Sequence, residues 1–461
     1  MRDNVAGRGN VLWINEGKGR AKMLRGGSVR ALRRMCALMS LSFVCAFILF
    51  AAIPVSTHST NSTIHKAEST NSHQFTLEIY GNANEDDTID MRDVTYIKLV
   101  IFGKKPETKF CDANYDGRIS MLDVVQTKLI IVRKEGKLTI VDGANRTVTV
   151  NKPINRVVCT FDQQIEALRV LKVSKDKIVG VPEGTSLDTD FFPEFGDVRS
   201  IGTSWEPDLE AIIELNPDLV FLHTSRAFGD TQGAAQKFLE AAGITVLRFA
   251  FKENYPDAIK KLGYVFDKEE EAKEFLDWYT NILNTVKDRT EGIPDEDKPK
   301  VYAEGSTKYK VSDRDDWAIA LAGGKDIFAG KNGAIDVEEV IAYDPDIIIK
   351  PTWEAGGYGL DAGDTAGLKA VRDEIMGRPE LQNVKAVKEG RVYVITTHLW
   401  TYMPKTGNRH FIGICYMAKW FHPELFKDLD PKAIHQEYIT RFQGLDIDLD
   451  EKGVFVYPEP S

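Results

Sequence analysis

Residues 208–222 read DLEAIIELNPDLVFL, and residues 336–350 read DVEEVIAYDPDIIIK. The second stretch starts 336 − 208 = 128 positions after the first. Each opens with Asp, an apolar residue and Glu, passes through a helical turn, reaches Asn/Asp-Pro-Asp and ends in an apolar run. Leu209, Ile212, Ile213 and Leu215 are spaced for one face of a short helix. Pro217 cannot continue that helix, so the chain turns there. Residues 219–222 show no alternation and read as a strand covered on both faces, as in a parallel sheet. The second copy repeats each step with Val337, Val340, Ile341, Pro345 and residues 347–349. Two matched α/β units predict two similar lobes with a ligand cleft between them.

The same alternation extends outward. Strand-like runs at 178–181, 219–222 and 245–249 alternate with helical runs at 164–171, 208–215 and 234–242. Residues 268–290, rich in Glu, Lys and Leu, predict one long helix, ended by Gly292-Ile293-Pro294-Asp295. A second α/β body runs from Lys300 to Thr397, and 407–442 reads as two covering helices. Ahead of the first body, LTIVDGANRTVTV (138–150) predicts a hairpin turning near Asp142-Gly143.

The chain has 461 residues, room for about three domains. Its net charge of −10 is uneven: residues 1–34 hold nine Lys/Arg and two Asp/Glu. The remainder therefore carries (59 − 9) − (69 − 2) = −17. An acidic body argues against nucleic-acid binding, which favours clustered positive charge. Residues 35–56, MCALMSLSFVCAFILFAAIPVS, follow Arg25, Arg30, Arg33 and Arg34. They predict a secretion signal or an uncleaved membrane anchor, and hence an extracytoplasmic body in the periplasm or at the cell surface. Residues 57–74, rich in Ser, Thr, Asn and His, read as a flexible stalk. Cys111, Cys159 and Cys415 are odd in number and lack metal-type spacing, so no disulfide framework is predicted.

Residues 76–134 hold a second, shorter repeat. Asn82, Asn84, Asp86, Thr88, Asp90 and Asp93 align with Asp112, Asn114, Asp116, Arg118, Ser120 and Asp123, thirty residues on. Each set occupies positions 1, 3, 5, 7, 9 and 12 of a twelve-residue loop, with an Ile at position 8. Ca²⁺ takes six or more oxygens, and such a loop wraps them round one ion, position 7 offering its backbone carbonyl. A helix is expected after each loop, at 94–102 and 124–132. Asn82 at position 1 and Asp87 in place of glycine at position 6 predict that the first of the two Ca²⁺ sites is the weaker. Asp87 is expected to strain the turn or to take up a left-handed conformation there.

This duplicated loop-helix segment resembles a dockerin, the module that binds cohesin domains. The resemblance implies a small α-helical calcium-binding domain and a cohesin-type partner. The remainder resembles the substrate-binding proteins of ABC importers for iron-siderophores, haem and cobalamin. Asn155-Arg156-Val157-Val158, Gly202 through Glu210, Pro217-Asp218, Ala242-Gly243-Ile244, the second phrase at 336–350 and Gly390-Arg391-Val392-Tyr393 carry that likeness. It implies an α/β fold of two Rossmann-like lobes joined by one rigid helix, the class III arrangement, with little hinge motion. The expected layout is a signal or membrane anchor over 1–56, a flexible linker over 57–75, the dockerin-like domain over 76–134, lobes over 138–267 and 299–445, and the linking helix over 268–293.

In that family an acidic residue on each lobe pairs with permease arginines. The matching positions are Glu210 and Glu338, each also placed to favour a helix N-terminus. Loops after the strand ends nominate Phe161, Trp205, Arg226, Lys308, Tyr309, Trp353, His398, Trp400 and Tyr402 as ligand contacts. The aromatics can stack on a flat or catechol-bearing ligand, and Arg226 and Lys308 can meet an anionic chelate. His223 and His398 form a further candidate pair for a metal, whereas His410, His422 and His435 do not share a helix face.

No Gly-x-Ser-x-Gly elbow, His-Glu-x-x-His or phosphate loop is present, and no catalytic residues are expected. The leading expectation is a non-enzymatic, surface-tethered capture protein that delivers an iron- or cobalt-containing chelate to an ABC permease. A dockerin-bearing hydrolase, with carboxylates such as Glu206, Glu354 and Asp361, and a surface assembly protein are the alternatives.

Overall fold

The computed structural model describes residues 76–224, 231–249, 251, 255–305, 307–313, 316–352, 359–360, 362–400 and 408–460. The expected signal or anchor (1–56) and linker (57–75) lie outside the described residues. Among those residues, no helix is long and apolar enough to cross a membrane.

Helices α1 (Met91–Ile101) and α2 (Met121–Ile131) follow the two loops. Both open with a capping box, Asp90 with Asp93 and Ser120 with Asp123. The hairpin is β1 (Lys137–Val141) with β2 (Thr147–Asn151), antiparallel. Asp142 Oδ1 takes the N–H groups of Ala144 and Arg146, which closes the turn where expected.

The first sheet contains β3 (Val157–Cys159), β4 (Ile178–Gly180), β5 (Leu219–His223) and β6 (Thr245–Phe249), in the order β4-β3-β5-β6 and all parallel. Helix α3 (Asp162–Val170) follows β3, α4 (Leu209–Glu214) precedes β5, and α5 (Thr231–Ala241) precedes β6. Helix α6 (Tyr255–Phe266), which the sequence pattern did not reveal, leads into the long helix α7 (Glu269–Thr290). The second sheet runs β13-β12-β11-β7-β9. Its strands are β7 (Lys300–Ala303), β9 (Lys325–Asp326), β11 (Ile347–Thr352), β12 (Val392–Thr396) and β13 (Val456–Tyr457). All are parallel except β13, which pairs antiparallel with β12 and carries this sheet past the expected boundary at 445. The short strands β8 (Lys310–Val311) and β10 (Gly333–Ala334) pair separately.

The repeated phrase is repeated atom by atom. Asp208 caps α4 by accepting the Glu210 and Ala211 N–H groups, and Asp336 caps α8 (Val337–Tyr343) by accepting that of Glu338. Asn216 and Asp344 both stand at φ 45°, a left-handed turn that Asn and Asp tolerate. After each proline an Asp ties down the neighbouring strand. Asp218 Oδ2 accepts from Arg156 N at 2.9 Å while Asp218 N donates to Arg156 O at 2.8 Å. Asp346 and Lys300 make the same exchange at 2.8 and 2.9 Å. Leu219 and Phe221 then point to one face and Val220 and Leu222 to the other, each into a separate buried cluster. Ile347 and Ile349 against Ile348 do likewise. Burial on both faces is why these runs do not alternate.

One buried cluster joins the inner faces of both sheets through Phe275, Tyr279, Ile282 and Val286, spaced three and four apart along α7. Leu77, Ile79, Ile89 and Ile130 of the calcium segment belong to that same cluster. Tyr80 N donates to Thr139 O and Val141 N to Glu78 O, so residues 78–80 run beside the hairpin. Residues 76–134 thus share part of their apolar core with the rest of the chain.

Candidate ligand-binding site

In open parallel sheets, ligands lie beyond the carboxyl ends of the strands. At that end of the first sheet, β3 leads into Thr160 and Phe161, and β5 ends on His223. Thr160 and Phe161 both donate backbone N–H to Gln164 Oε1, at 2.7 and 3.1 Å. So fixed, the Phe161 ring meets Trp205 edge-on at 5.2 Å and His223 at 4.8 Å. Burial, assisted by the Arg248 charge, pushes His223 down to about 4, which leaves the imidazole neutral near pH 7. Asp162 is turned inward, its carboxylate accepting from the Thr185 hydroxyl.

The second sheet ends differently. Glu304 directly follows β7 and is fully buried. Arg378 donates to both its oxygens, at 2.6 and 2.9 Å, and Lys350 of β11 donates to Oε1 at 2.9 Å. The Tyr302 hydroxyl and the Tyr309 N–H complete its shell, at 3.1 and 3.2 Å. Burial works to raise the Glu304 pKa, but the Arg378 hydrogen bonds and the Lys350 charge outweigh it, and the net shift is downward. Holding that N–H places Tyr309 at φ 53°, a conformation seldom adopted by a bulky side chain. Its hydroxyl donates to Glu380 at 2.6 Å, and Lys308 pairs with the same carboxylate at 3.0 Å. Lys308 and Tyr309 are therefore part of a charged wall rather than isolated contacts. Sequence reasoning missed Glu304, Lys350, Arg378 and Glu380; Lys350, a charge ending the apolar run 347–349, was the available signal.

The remaining nominees separate. His398 lies edge-on to Phe455 at 6.0 Å, and Gly359 passes so close that a Cβ there would sit 2.7 Å from the imidazole. Trp400 is buried in the core cluster. Among the described residues, no three His, Cys, Asp or Glu side chains form a group that could hold a metal, around His223 and His398 or elsewhere. His410 Nε2 lies 3.3 Å from the Tyr279 hydroxyl, His422 Nε2 lies 3.0 Å from Gly323 O, and His435 packs on Phe455. Arg226, Trp353 and Tyr402 lie outside the described residues, as do Glu354 and Asp361. Glu210 and Glu338 are both exposed, each the third residue of its phrase's Asp-apolar-Glu opening, and neither carboxylate has a hydrogen-bond or ion-pair partner among the described residues.

A buried polar network also ties the carboxyl-terminal segment to α3. Glu166 accepts from Asn408 N at 3.0 Å and the Tyr438 hydroxyl at 2.8 Å, and pairs with Arg409 at 3.4 Å. Asn408 also donates to Gln163 O at 2.8 Å. The segment between β12 and β13 of the second sheet is thereby fastened to α3, the helix that follows β3 of the first.

In the calcium segment, the two loops share one backbone scheme. Asp93 takes the N–H of Asn84 at 3.0 Å and of Asp90 at 2.8 Å; Asp123 takes those of Asn114 at 3.2 Å and Ser120 at 2.7 Å. The left-handed residues are Glu85 and Tyr115, both at position 4, and Gly117 at position 6. Asp87 is not left-handed, so the expected strain at position 6 is absent; its carboxylate pairs with Lys260 at 2.9 Å. Asn82 is fully buried and donates to Leu77 O and Asp86 O, while its Oδ1 has no hydrogen-bond partner. Asp86 and Asp90, at positions 5 and 9, share Arg92 at 3.1 and 2.9 Å, and the orphaned amide oxygen of Asn82 at position 1 is of the kind that a Ca²⁺ loop of mixed oxygens uses.

Residues 157–399, more than half of the chain, match the family model described as periplasmic binding protein. The chain is 24% identical over 277 residues to the Fe(3+)-citrate-binding protein YfmC of Bacillus subtilis, covering 58% of this chain and 78% of that one. It is 27% identical over 265 residues to the iron(3+)-hydroxamate-binding protein FhuD of the same organism, covering 54% and 76%. The crystal structure of the TroA-like periplasmic binding protein FepB from Veillonella parvula superposes with a TM-score of 0.54 at 25% identity, over 69% of this chain and 98% of that one. The paired twelve-residue loops and the hairpin precede the matched span. Parallel sheets bridged by one long helix, and a site formed from strand ends without catalytic machinery, accord with that match: the chain belongs to the periplasmic binding protein family, whose members bind rather than transform their ligands.

Proposed function

We propose that this protein is the extracytoplasmic substrate-binding component of an ABC importer and captures a ferric chelate between two lobes of the class III type. The observation that carries this reading is the paired construction of the strand ends. A ring cluster of Phe161, Trp205 and His223 ends one sheet, and a cation-bearing wall of Lys308, Tyr309, Lys350 and Arg378 ends the other. Aromatic faces suit the organic part of a chelate and cations its anionic donors. The likeness to ferric-citrate and ferric-hydroxamate binders supports iron as the cargo class. Arg226, Trp353 and Tyr402 complete the nominated contacts, and haem and cobalamin remain the other cargoes to test. Glu210 and Glu338, equivalent and unpartnered among the described residues, would engage the permease. The basic-then-apolar start, residues 25–56, supports export as a signal or an anchor.

The loops at 82–93 and 112–123 would each hold Ca²⁺, through Asn82, Asn84, Asp86, Thr88, Asp90 and Asp93 and through Asp112, Asn114, Asp116, Arg118, Ser120 and Asp123. The ion would supply the charge that gathers each loop's oxygens. With neutral Asn82 where the second loop has Asp112, the first site binds more weakly. Exposed Met91, Phe102, Met121, Leu122, Val125 and Val132 offer an apolar surface for a cohesin-type module.

The test is a tryptophan-fluorescence titration of the full chain with ferric citrate, a ferric hydroxamate, haem and cobalamin, with an oligosaccharide as control. One chelate should quench saturably, and Trp205→Ala should weaken it about fivefold. Binding of the oligosaccharide with none of the chelates would overturn the reading in favour of the hydrolase alternative.

A further inference from the structure

The two calcium loops close their turns by different means. In the second loop, Asp112 Oδ1 takes the N–H of Asp116 at 3.0 Å and Oδ2 takes that of Gly117 at 2.8 Å. Its position 6 is a left-handed glycine with open space around it. That loop is closed from within by its own first residue. In the first loop, Asn82 Oδ1 accepts neither bond. Instead, positions 6, 7 and 8 are held from outside by one face of α6, a helix of the periplasmic-binding body. Lys260 pairs with Asp87 at 2.9 Å. One turn later, the Tyr264 hydroxyl accepts the Ile89 N–H at 2.9 Å and lies 3.3 Å from the Thr88 hydroxyl. Lys261, almost wholly buried, joins Glu78 at 3.0 Å to Asp257 at 2.9 Å. The other end of α6 carries Tyr255, packed on Phe275 and Tyr279 of α7 and on His410.

We infer that the first calcium site is completed in trans by α6, with Tyr264 and Lys260 as its positioning residues, so that calcium in this loop and the order of α6 depend on one another. This rests on the calcium reading above and goes beyond it. Thr88 must present its carbonyl to the ion, and the clamp on Asp87, Thr88 and Ile89 fixes the peptide units around it. Lys260 also neutralises the carboxylate that stands where the other loop has glycine. Removing the clamp frees the loop before the ion can gather it, so affinity falls at this site alone. Coupling between two sites is reciprocal, so calcium must tighten α6 by the same factor by which α6 tightens calcium. Among the described residues the second loop has no bond to α6, and it lies outside the coupling.

The experiment uses the full chain and calcium alone as the probe. Calorimetric titration of the calcium-free wild type should give two sites. In Tyr264→Phe, which removes only the hydroxyl, one site should weaken about fivefold and the other stay unchanged. Lys260→Ala should act on the same site. Asp112→Ala, which disables the second loop, identifies the survivor as the first. Hydrogen exchange of residues 255–266 should quicken on chelation of calcium in the wild type, and much less so in Tyr264→Phe. If Tyr264→Phe lowers the melting temperature but leaves both calcium affinities intact, the hydroxyl is merely structural and the inference falls, while the calcium reading stands. If α6 exchange ignores calcium, the inference falls in the same way. If the wild type binds no calcium at millimolar concentration, the calcium reading falls and takes the inference with it.

Discussion

The two sheets share a helix-turn-strand phrase, yet their carboxyl-terminal strand ends are chemically opposite. The first ends in rings: Phe161, Trp205 and an uncharged His223. The second ends in charge: Glu304 buried among Arg378 and Lys350, with Lys308 and Glu380 outside. The phrase sets the position of each strand, and the residues beyond the strand end are free to vary. Asp218 and Asp346 anchor the neighbouring strands identically, so the scaffold can be duplicated while the recognition chemistry diverges. The cations of the second end are all paired, Lys350 and Arg378 with Glu304 and Lys308 with Glu380, whereas the rings of the first end carry no charge.

The strongest consequence concerns Glu304. Its carboxylate is the shared partner of two buried cations, and truncating one member of a buried ion cluster leaves the others uncompensated. Glu304→Ala should cost about 3–5 kcal/mol, read as a shift of the urea midpoint. Phe161→Ala at the other end removes apolar contact without stranding a charge. If Glu304→Ala costs under about 1 kcal/mol, the cluster is not electrostatically closed and the contrast between the ends loses its energetic basis.

The fold was visible in the sequence wherever local rules act. Pro217 and Pro345 end helices, Asp208 and Asp336 begin them, and unbroken apolar runs fill doubly covered strands. The paired loop-helix turns were visible for the same reason, since Asp90 with Asp93 and Ser120 with Asp123 cap each helix within a few residues. The features that escaped depend on partners far along the chain. Glu304 meets Lys350 and Arg378 46 and 74 positions away. Lys261 on α6 is buried between Asp257 and Glu78, the latter 183 positions earlier, and a buried Lys obscures the apolar face by which a helix is recognised. Glu166 likewise finds Asn408 across 242 positions. Of the nominated contacts, Phe161 and Trp205 come together at the end of the first sheet. His398 and Trp400 follow a strand end too, but α9 (Thr397–Trp400) turns Trp400 into the core and sets His398 against Phe455.

Acid should separate the two ends. His223 lies near 4 in the fold, against an ordinary value of 6.5. On acidification the unfolded chain therefore takes up this proton first. The stability owed to neutral His223 is complete above pH 6.5 and is lost as the pH falls towards 4, by about 3 kcal/mol for 2.5 units at 1.36 kcal/mol each. Glu304, shifted downward, keeps its contribution above its ordinary value of 4.5 and loses it only as the pH falls through its lower folded value. His223→Gln should flatten the stability profile between pH 6.5 and 4 and leave the more acidic limb in place. The measurement is urea unfolding at stepped pH, taken as the difference from wild type so that buried His435, also shifted downward, cancels. An unchanged slope in His223→Gln would assign the acid sensitivity to the other downshifted histidines, His422 and His435.

The smallest effect on the fold carries the largest consequence for transport. Glu210 and Glu338 occupy equivalent helix starts, where a carboxylate favours the helix dipole by about 0.3–1 kcal/mol. If capping were their whole purpose, Asp208 and Asp336 already supply it, accepting the N–H of Glu210 and of Glu338 respectively. Glu210→Ala and Glu338→Ala should each cost under about 1 kcal/mol of stability and leave chelate binding unchanged. Both should reduce uptake by an importer reconstituted with its permease, and the double variant should reduce it further. Charge-reversed permease arginines should restore uptake to Glu210→Arg paired with Glu338→Arg. Equal loss of stability and uptake would make them helix-start residues only; loss from one position alone would mean that the two sheets, alike in phrase, are unlike in docking as they are in ligand chemistry.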